Sequence, residues 1–182
     1  MDLLSARINN LPVSATLAMA AKARELQKQG IDIIGLSLGE PDFNTPEFIK
    51  DAAIKAVQDN WNSYSPVDGY ADLKNAICNK FKRDNNLDYS PNQIVVSTGA
   101  KQSIANVCMV LLDPGDQVLL PSPYWVSYSA IATLAEAEST IIPSSIESDF
   151  KITPKQLEAA ITPNTKLVMF NSPNNPSGTI YS

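Results

Sequence analysis

Leu167-Val168-Met169-Phe170-Asn171-Ser172-Pro173-Asn174-Asn175-Pro176-Ser177-Gly178 is the stretch on which the fold turns. Its four apolar residues have the length of a buried strand. The Asn/Pro/Gly cluster ends that strand and places polar side chains in the crevice beyond its carboxyl end. In open α/β sheets that crevice is where ligands bind. Asn, Pro and Gly also punctuate ordinary turns, so the cluster gains meaning from its company. Two further segments, STGAKQS (97–103) and SPYWVSY (122–128), also follow apolar runs.

Outward from this segment, strands and helices alternate. QIVVS (93–97) predicts a strand leading to a helix over about 100–112, closed by Asp113-Pro114-Gly115. QVLLP (117–121) leads to a helix over about 125–134. STIIP (139–143) precedes a helix opened by Thr153-Pro154, and KLVMFN (166–171) is the last strand. Such alternation specifies an α/β fold with a mainly parallel sheet flanked by helices. Nearer the N-terminus, a helix over about 15–29 is capped by Ser14 and stopped by Gly30. Thr45-Pro46-Glu47 opens another, with Ile49, Ala52, Ala53, Ala56 and Val57 on one face. A helix over about 71–83 is expected to bury Leu73, Ala76, Ile77 and Phe81. A turn-rich loop, NSYSPVDGY (62–70), lies between these two.

Composition narrows the function. The chain has 182 residues, 44% hydrophobic and 18% charged, as in ordinary globular proteins. Its net charge of −5 and lack of basic blocks disfavour nucleic acid and anionic membrane as partners. No apolar run reaches a membrane span, and the first residues lack the form of a signal peptide, so a cytoplasmic location is expected. Cys78 and Cys108 both fall in helical patterns and read as reduced packing residues. There is no histidine. A Ser-His-Asp triad, a Cys-His pair or a His-based metal site cannot be assembled from these residues, and no metal is expected. An organic cofactor is the remaining carrier of chemistry.

Three strand ends offer parts of a cofactor seat. Gly99, Ala100 and Lys101 begin a helix, where backbone N–H groups and the helix dipole favour a phosphate. Ser97 or Ser103 could add a hydroxyl, although an ordinary capped helix carries the same pattern. Trp125 could stack on a flat heteroaromatic ring, or pack under a loop. The Asn175 amide could donate to a ring oxygen. The Ser-Pro and Asn-Pro bonds of these turns are candidates for cis geometry.

The order and wording of these segments resemble the class I/II pyridoxal-phosphate-dependent aminotransferases, most of all the bacterial aspartate aminotransferase type. VSATLAM (13–19), LGEPDF (38–43), the Tyr64-Ser65-Pro66 and Gly69-Tyr70 loop, and the three strand-end motifs carry the likeness. It implies an incomplete large domain of the aspartate aminotransferase-like fold. Residues 1–44 would form an N-terminal arm and part of the small domain, and residues 45–182 the first part of the cofactor-binding domain. It implies pyridoxal 5′-phosphate held by Gly99, Ala100, Lys101, Trp125 and Asn175. Tyr64, otherwise a packed loop aromatic, would reach the phosphate of a neighbouring subunit in a homodimer with shared sites. Gly39, Trp125 and Asn175 would border the amino-acid substrate, and the reaction would exchange an amino group between an amino acid, aspartate-like or aromatic, and a 2-oxo acid.

In that family the Schiff-base lysine, the aspartate at the pyridine nitrogen and the arginine for the substrate carboxylate follow later, beyond Ser182. The chain is therefore expected to be the front part of a longer polypeptide and inactive by itself, with an apolar sheet edge and face left open. Some dicarboxylate-specific relatives carry a basic residue just before the Ser-Ala-Thr segment, and Asn9-Asn10-Leu11-Pro12-Val13 offers none. A lyase or decarboxylase of the same fold, or a non-catalytic cofactor-binding module, are the competing expectations.

Overall fold

A computed structural model describes residues 3–11, 15–36, 39 and 41–181. The chain divides into two compact units, Met1–Ala18 with Gly99–Ser182, and Met19–Thr98.

The first unit is built on a three-stranded parallel sheet. β1 (Gln117–Pro121) lies between β2 (Glu138–Ile142) and β3 (Thr165–Val168). After Gln117 the central strand is apolar, because both of its faces are covered. Val118, Leu119 and Leu120 are fully buried, whereas β2 and β3 are only partly covered. Each buried aliphatic side chain contributes roughly 1.5–3 kcal/mol relative to exposure.

Helices α5 (Ala100–Leu111) and α6 (Ser127–Leu134) supply one covering layer. Cys108 and Leu112 join Val118, Leu120, Tyr128, Ile131 and Ala132 in a single core. A short α1 (Ala6–Asn9) packs on α6, and α7 (Pro154–Ala160) packs on β2. Thr153 opens α7 as a capping box, its hydroxyl accepting from the Gln156 N–H at 3.3 Å. At the foot of the sheet, the Gln117 side chain gathers three hydroxyls. Its Nε2 donates to Thr140 Oγ1 at 2.8 Å, and its Oε1 accepts from Thr162 Oγ1 at 3.0 Å and from Thr165 Oγ1.

Both β1 and β3 end on the same side of the sheet. The chain leaves β1 for β2 on one flank, then crosses to β3 on the other. The crevice between the carboxyl ends of β1 and β3 is thus a topological switch point, where ligands of such sheets sit.

The second unit holds most of α2 (Ala15–Lys28), together with α3 (Glu47–Gln58) and α4 (Ala71–Asn85). Its loop 59–70 is pinned by a close approach. Gly69 has φ +102°, and a Cβ there would lie 2.6 Å from Val96 Cγ2. The Val96 N–H also donates to the Asp68 carbonyl at 3.1 Å. Asp68 and Lys74 form an ion pair, which holds the Asp68 carboxyl below its ordinary value.

Several expectations are corrected. Residues 94–97 are not a strand: only Pro91–Gln93 forms a 3-10 turn, and 94–97 has no ladder partner among the described residues. Apolar patterning marks a segment fit for a sheet, but the ladder needs a neighbour. No residue of α3 or α4 is buried, although Ile77 and Phe81 are partly covered. Among the described residues, their apolar stripes are not buried under a second layer within the unit. The Thr45 cap is replaced by Pro46, without a side-chain cap bond. α6 begins at Ser127 and leaves Trp125 in the preceding loop. The Ser14 cap lies outside the described residues. Cys78 and Cys108 are both free thiols, and burial raises the pKa of Cys108. Among the described residues no helix is long and apolar enough to cross a membrane.

Candidate cofactor seat

The first part of the site is the start of α5. Gly99 is its N-cap, at φ +84° and ψ +162°, a conformation that only glycine adopts readily. Its carbonyl takes the first helical bonds, from Gln102 N–H at 3.2 Å and Ser103 N–H at 3.4 Å. The N–H groups of Gly99, Ala100 and Lys101 donate to no protein acceptor among the described residues. Nothing lies within 4 Å of where a Gly99 Cβ would be, so the backbone is approachable there. Open amides at the head of a twelve-residue helix, with positive dipole potential, are the donor set a phosphate requires.

Trp125 sits in the loop that follows β1. Its indole meets the Tyr128 ring edge-on, with centroids 5.6 Å apart and planes at 82°, and it packs partly against the core. The tryptophan is packed on one side and not fully buried. Lys101 Nζ lies 4.9 Å from the indole centroid, bringing the α5 terminus and the β1 loop together.

The third part is the loop after β3. The peptide bonds Ser122-Pro123, Ser172-Pro173 and Asn175-Pro176 are all cis, as the turn chemistry suggested. Asn175 is exposed, and its side-chain amide has no partner among the described residues. Its neighbours are tightly held. Asn171 Nδ2 donates to the Pro173 carbonyl at 2.9 Å. Asn174 Nδ2 donates to the Pro123 carbonyl at 3.0 Å, across to the loop that carries Trp125. Sequence reasoning missed Asn174, which it treated only as part of a turn, because a contact between residues 51 positions apart leaves no local signal.

Gly99, Lys101, Trp125 and Asn175 thus belong to one unit and to linked loops. Gly39 and Tyr64 belong to the other unit, both exposed, with Tyr64 on the loop pinned by Gly69. The donor set fits an aromatic phosphate: amides for the anion, an indole for the ring and an unpaired carboxamide for a ring oxygen. An apolar hollow of about 440 Å³, lined by Pro121, Ile152, Leu157, Val168, Phe170 and Tyr181, adjoins the carboxyl ends of β1 and β3 but includes none of Gly99, Lys101, Trp125 and Asn175 in its lining. Its walls are nearly all carbon, so it offers a phosphate little. Asn171 Oδ1, buried and without a protein partner, borders a hollow of about 10 Å³, the size of one water.

Comparison with known proteins agrees with this architecture. The family profile described as Aminotransferase class I and II matches residues 31–182, and the chain belongs to that family. It is 51% identical over 179 residues to an aspartate/prephenate aminotransferase of Nitrosomonas europaea, covering 98% of this chain and 45% of that protein. It is 49% identical to an aspartate aminotransferase of Bacillus sp. strain YM-2, covering 100% and 46%. Among solved structures, the aspartate aminotransferase of Thermus thermophilus with maleate superposes with a TM-score of 0.95 at 42% identity, covering 100% of this chain and 48% of that one. The Rhizobium meliloti aspartate aminotransferase superposes at 0.94 and 45% identity, covering 98% and 45%. The fold is that of the aspartate aminotransferases, and the chain spans a little under half the length of these relatives.

Proposed function

We propose that this chain carries the cofactor-seating part of a pyridoxal-phosphate-dependent aminotransferase, which exchanges an amino group between an aspartate-like or aromatic amino acid and a 2-oxo acid. The observation that carries the reading is the linkage of an open helix terminus, an indole and an unpaired carboxamide at one switch point. Bound pyridoxal phosphate supplies an electron sink for charge developing at the substrate α-carbon.

In this reading the amides of Gly99, Ala100 and Lys101 bind the phosphate and orient the ring. Trp125 covers one ring face, and Asn175 donates to the ring oxygen. Gly39, Trp125 and Asn175 border the substrate. Tyr64 serves the phosphate of a second copy, in a cytoplasmic homodimer with shared sites. The names of the relatives, aspartate and aspartate/prephenate aminotransferases, support the substrate class.

The test uses the protein at its natural length. It should retain pyridoxal phosphate, with an absorbance band abolished by borohydride. Formation of 2-oxo acid from the amino donor should require an amino acceptor. Failure to retain the cofactor overturns the reading, and oxo-acid formation without an acceptor overturns the transfer.

A further inference from the structure

We propose that Asn174 is a positioning residue which sets the separation between Trp125 and Asn175, and so the fit of the planar ring between them. The inference rests on the cofactor reading above. Pro123 lies two residues before Trp125, and Asn174 immediately precedes Asn175. The bond from Asn174 Nδ2 to the Pro123 carbonyl, 3.0 Å, is the one hydrogen bond joining the two loops among the described residues.

The geometry around it leaves Asn174 little freedom. The second hydrogen on Nδ2 goes to Ser177 Oγ at 2.7 Å. Its backbone N–H donates to the Thr179 carbonyl at 2.8 Å, and its carbonyl accepts from Gly178 N–H at 2.7 Å. Ser177 Oγ is in turn 2.8 Å from Thr179 Oγ1. The loop after β3 is therefore closed on itself, and its side-chain amide spends its one remaining hydrogen on the loop after β1. Asn175, next in sequence, keeps its own amide free.

An aspartate at this position has nearly the same shape and no N–H to give. It would face the Pro123 carbonyl oxygen with a carboxylate, so the two loops would part while Ser177 could still donate to it. The phosphate donors on α5 are untouched by this change. Ring fit and phosphate binding should therefore separate.

The experiment compares wild-type protein, Asn174→Asp, Asn174→Ala and the control Ser177→Ala, at natural length and in a background that keeps Trp125 as the only tryptophan, with Trp61 and any tryptophan outside these 182 residues replaced by phenylalanine. Pyridoxal 5′-phosphate affinity is read by quenching of Trp125 fluorescence. Inorganic phosphate affinity is read by competition and, for each variant, by thermal shift. Both Asn174 variants should bind pyridoxal phosphate about tenfold more weakly, the loss expected for one hydrogen bond. Phosphate affinity should stay unchanged, and Ser177→Ala should lose less than either. Wild-type-like affinity and quenching in both Asn174 variants overturn the inference. Parallel loss of pyridoxal phosphate and inorganic phosphate also overturns it, since that marks a merely structural role. A wild type that binds no pyridoxal phosphate instead overturns the cofactor reading.

Discussion

The Lys101 ammonium lies 4.9 Å from the centroid of the Trp125 indole, so one cation links the proposed phosphate cradle to the proposed ring plate. The arrangement is electrostatically favourable, because the ring quadrupole presents negative potential to a charge over its face.

Replacing Lys101 by methionine keeps the length of the side chain and removes its charge. In the same single-tryptophan background, Lys101→Met should change the emission of Trp125 and lower stability by about 0.5–1 kcal/mol. Fluorescence combined with urea denaturation checks this. Identical emission from the two proteins would show that the cation does not sit over the ring in solution.

At Gly99 the difficulty for any other residue is conformational, since a Cβ there meets open space but the backbone has φ +84°. Gly99→Ala should cost roughly 1–3 kcal/mol in urea unfolding. Because relief of that strain would turn the α5 amides, pyridoxal phosphate affinity should fall with it.

At Gly69 two penalties add. The φ of +102° is unsuited to alanine, and the new Cβ would collide with Val96 Cγ2 at 2.6 Å. Gly69→Ala should therefore destabilise more than Gly99→Ala. A second change, Val96→Ala, should relieve only the Cγ2 part of the collision. The Cβ that alanine keeps would still lie 2.9 Å away, beside the backbone part of roughly 1–3 kcal/mol. A double-mutant cycle by urea denaturation reads the coupling, and purely additive effects would refute the contact.

Asp68 gives a pH dependence with a definite sign. The hydrogen bond from Lys74 holds its carboxyl below the ordinary 3.8. The native state therefore binds fewer protons at this group than the unfolded chain does, over the acidic range. The stabilisation is present above that ordinary value and disappears as the pH falls through the lower native one. Asp68→Asn should flatten the acid limb of stability against pH. An unaltered limb would show that the pair does not form in solution.

Much of the first unit was legible in the sequence, because its signals are local. QVLLP is apolar from Val118 onward and became the strand buried on both faces. Thr153-Pro154 started α7, and Asp113-Pro114-Gly115 closed the stretch after α5. What failed were two inferences about particular neighbours, although the parallel pairing of β1 with β2 and β3 is as expected. QIVVS has the composition of a strand but no ladder partner among the described residues, and α4 has an apolar stripe that is covered only in part, by the turn at 91–93 and by Tyr89 against Phe81. At the proposed site, the candidates at 99–101, 125 and 175 came from motif and position alone. The Asn174–Pro123 and Lys101–Trp125 relationships were not, since each joins segments that only the folded sheet brings together.

The Gln117 clasp has a consequence for how such a molecule changes over time. Three hydroxyls converge at the opposite pole of the strands from the loops that follow Pro121 and Val168. Anchorage and the proposed recognition are housed apart, so fittings at one pole can be exchanged while the other stays buckled. A scaffold wired this way can change its loops without first surrendering its footing.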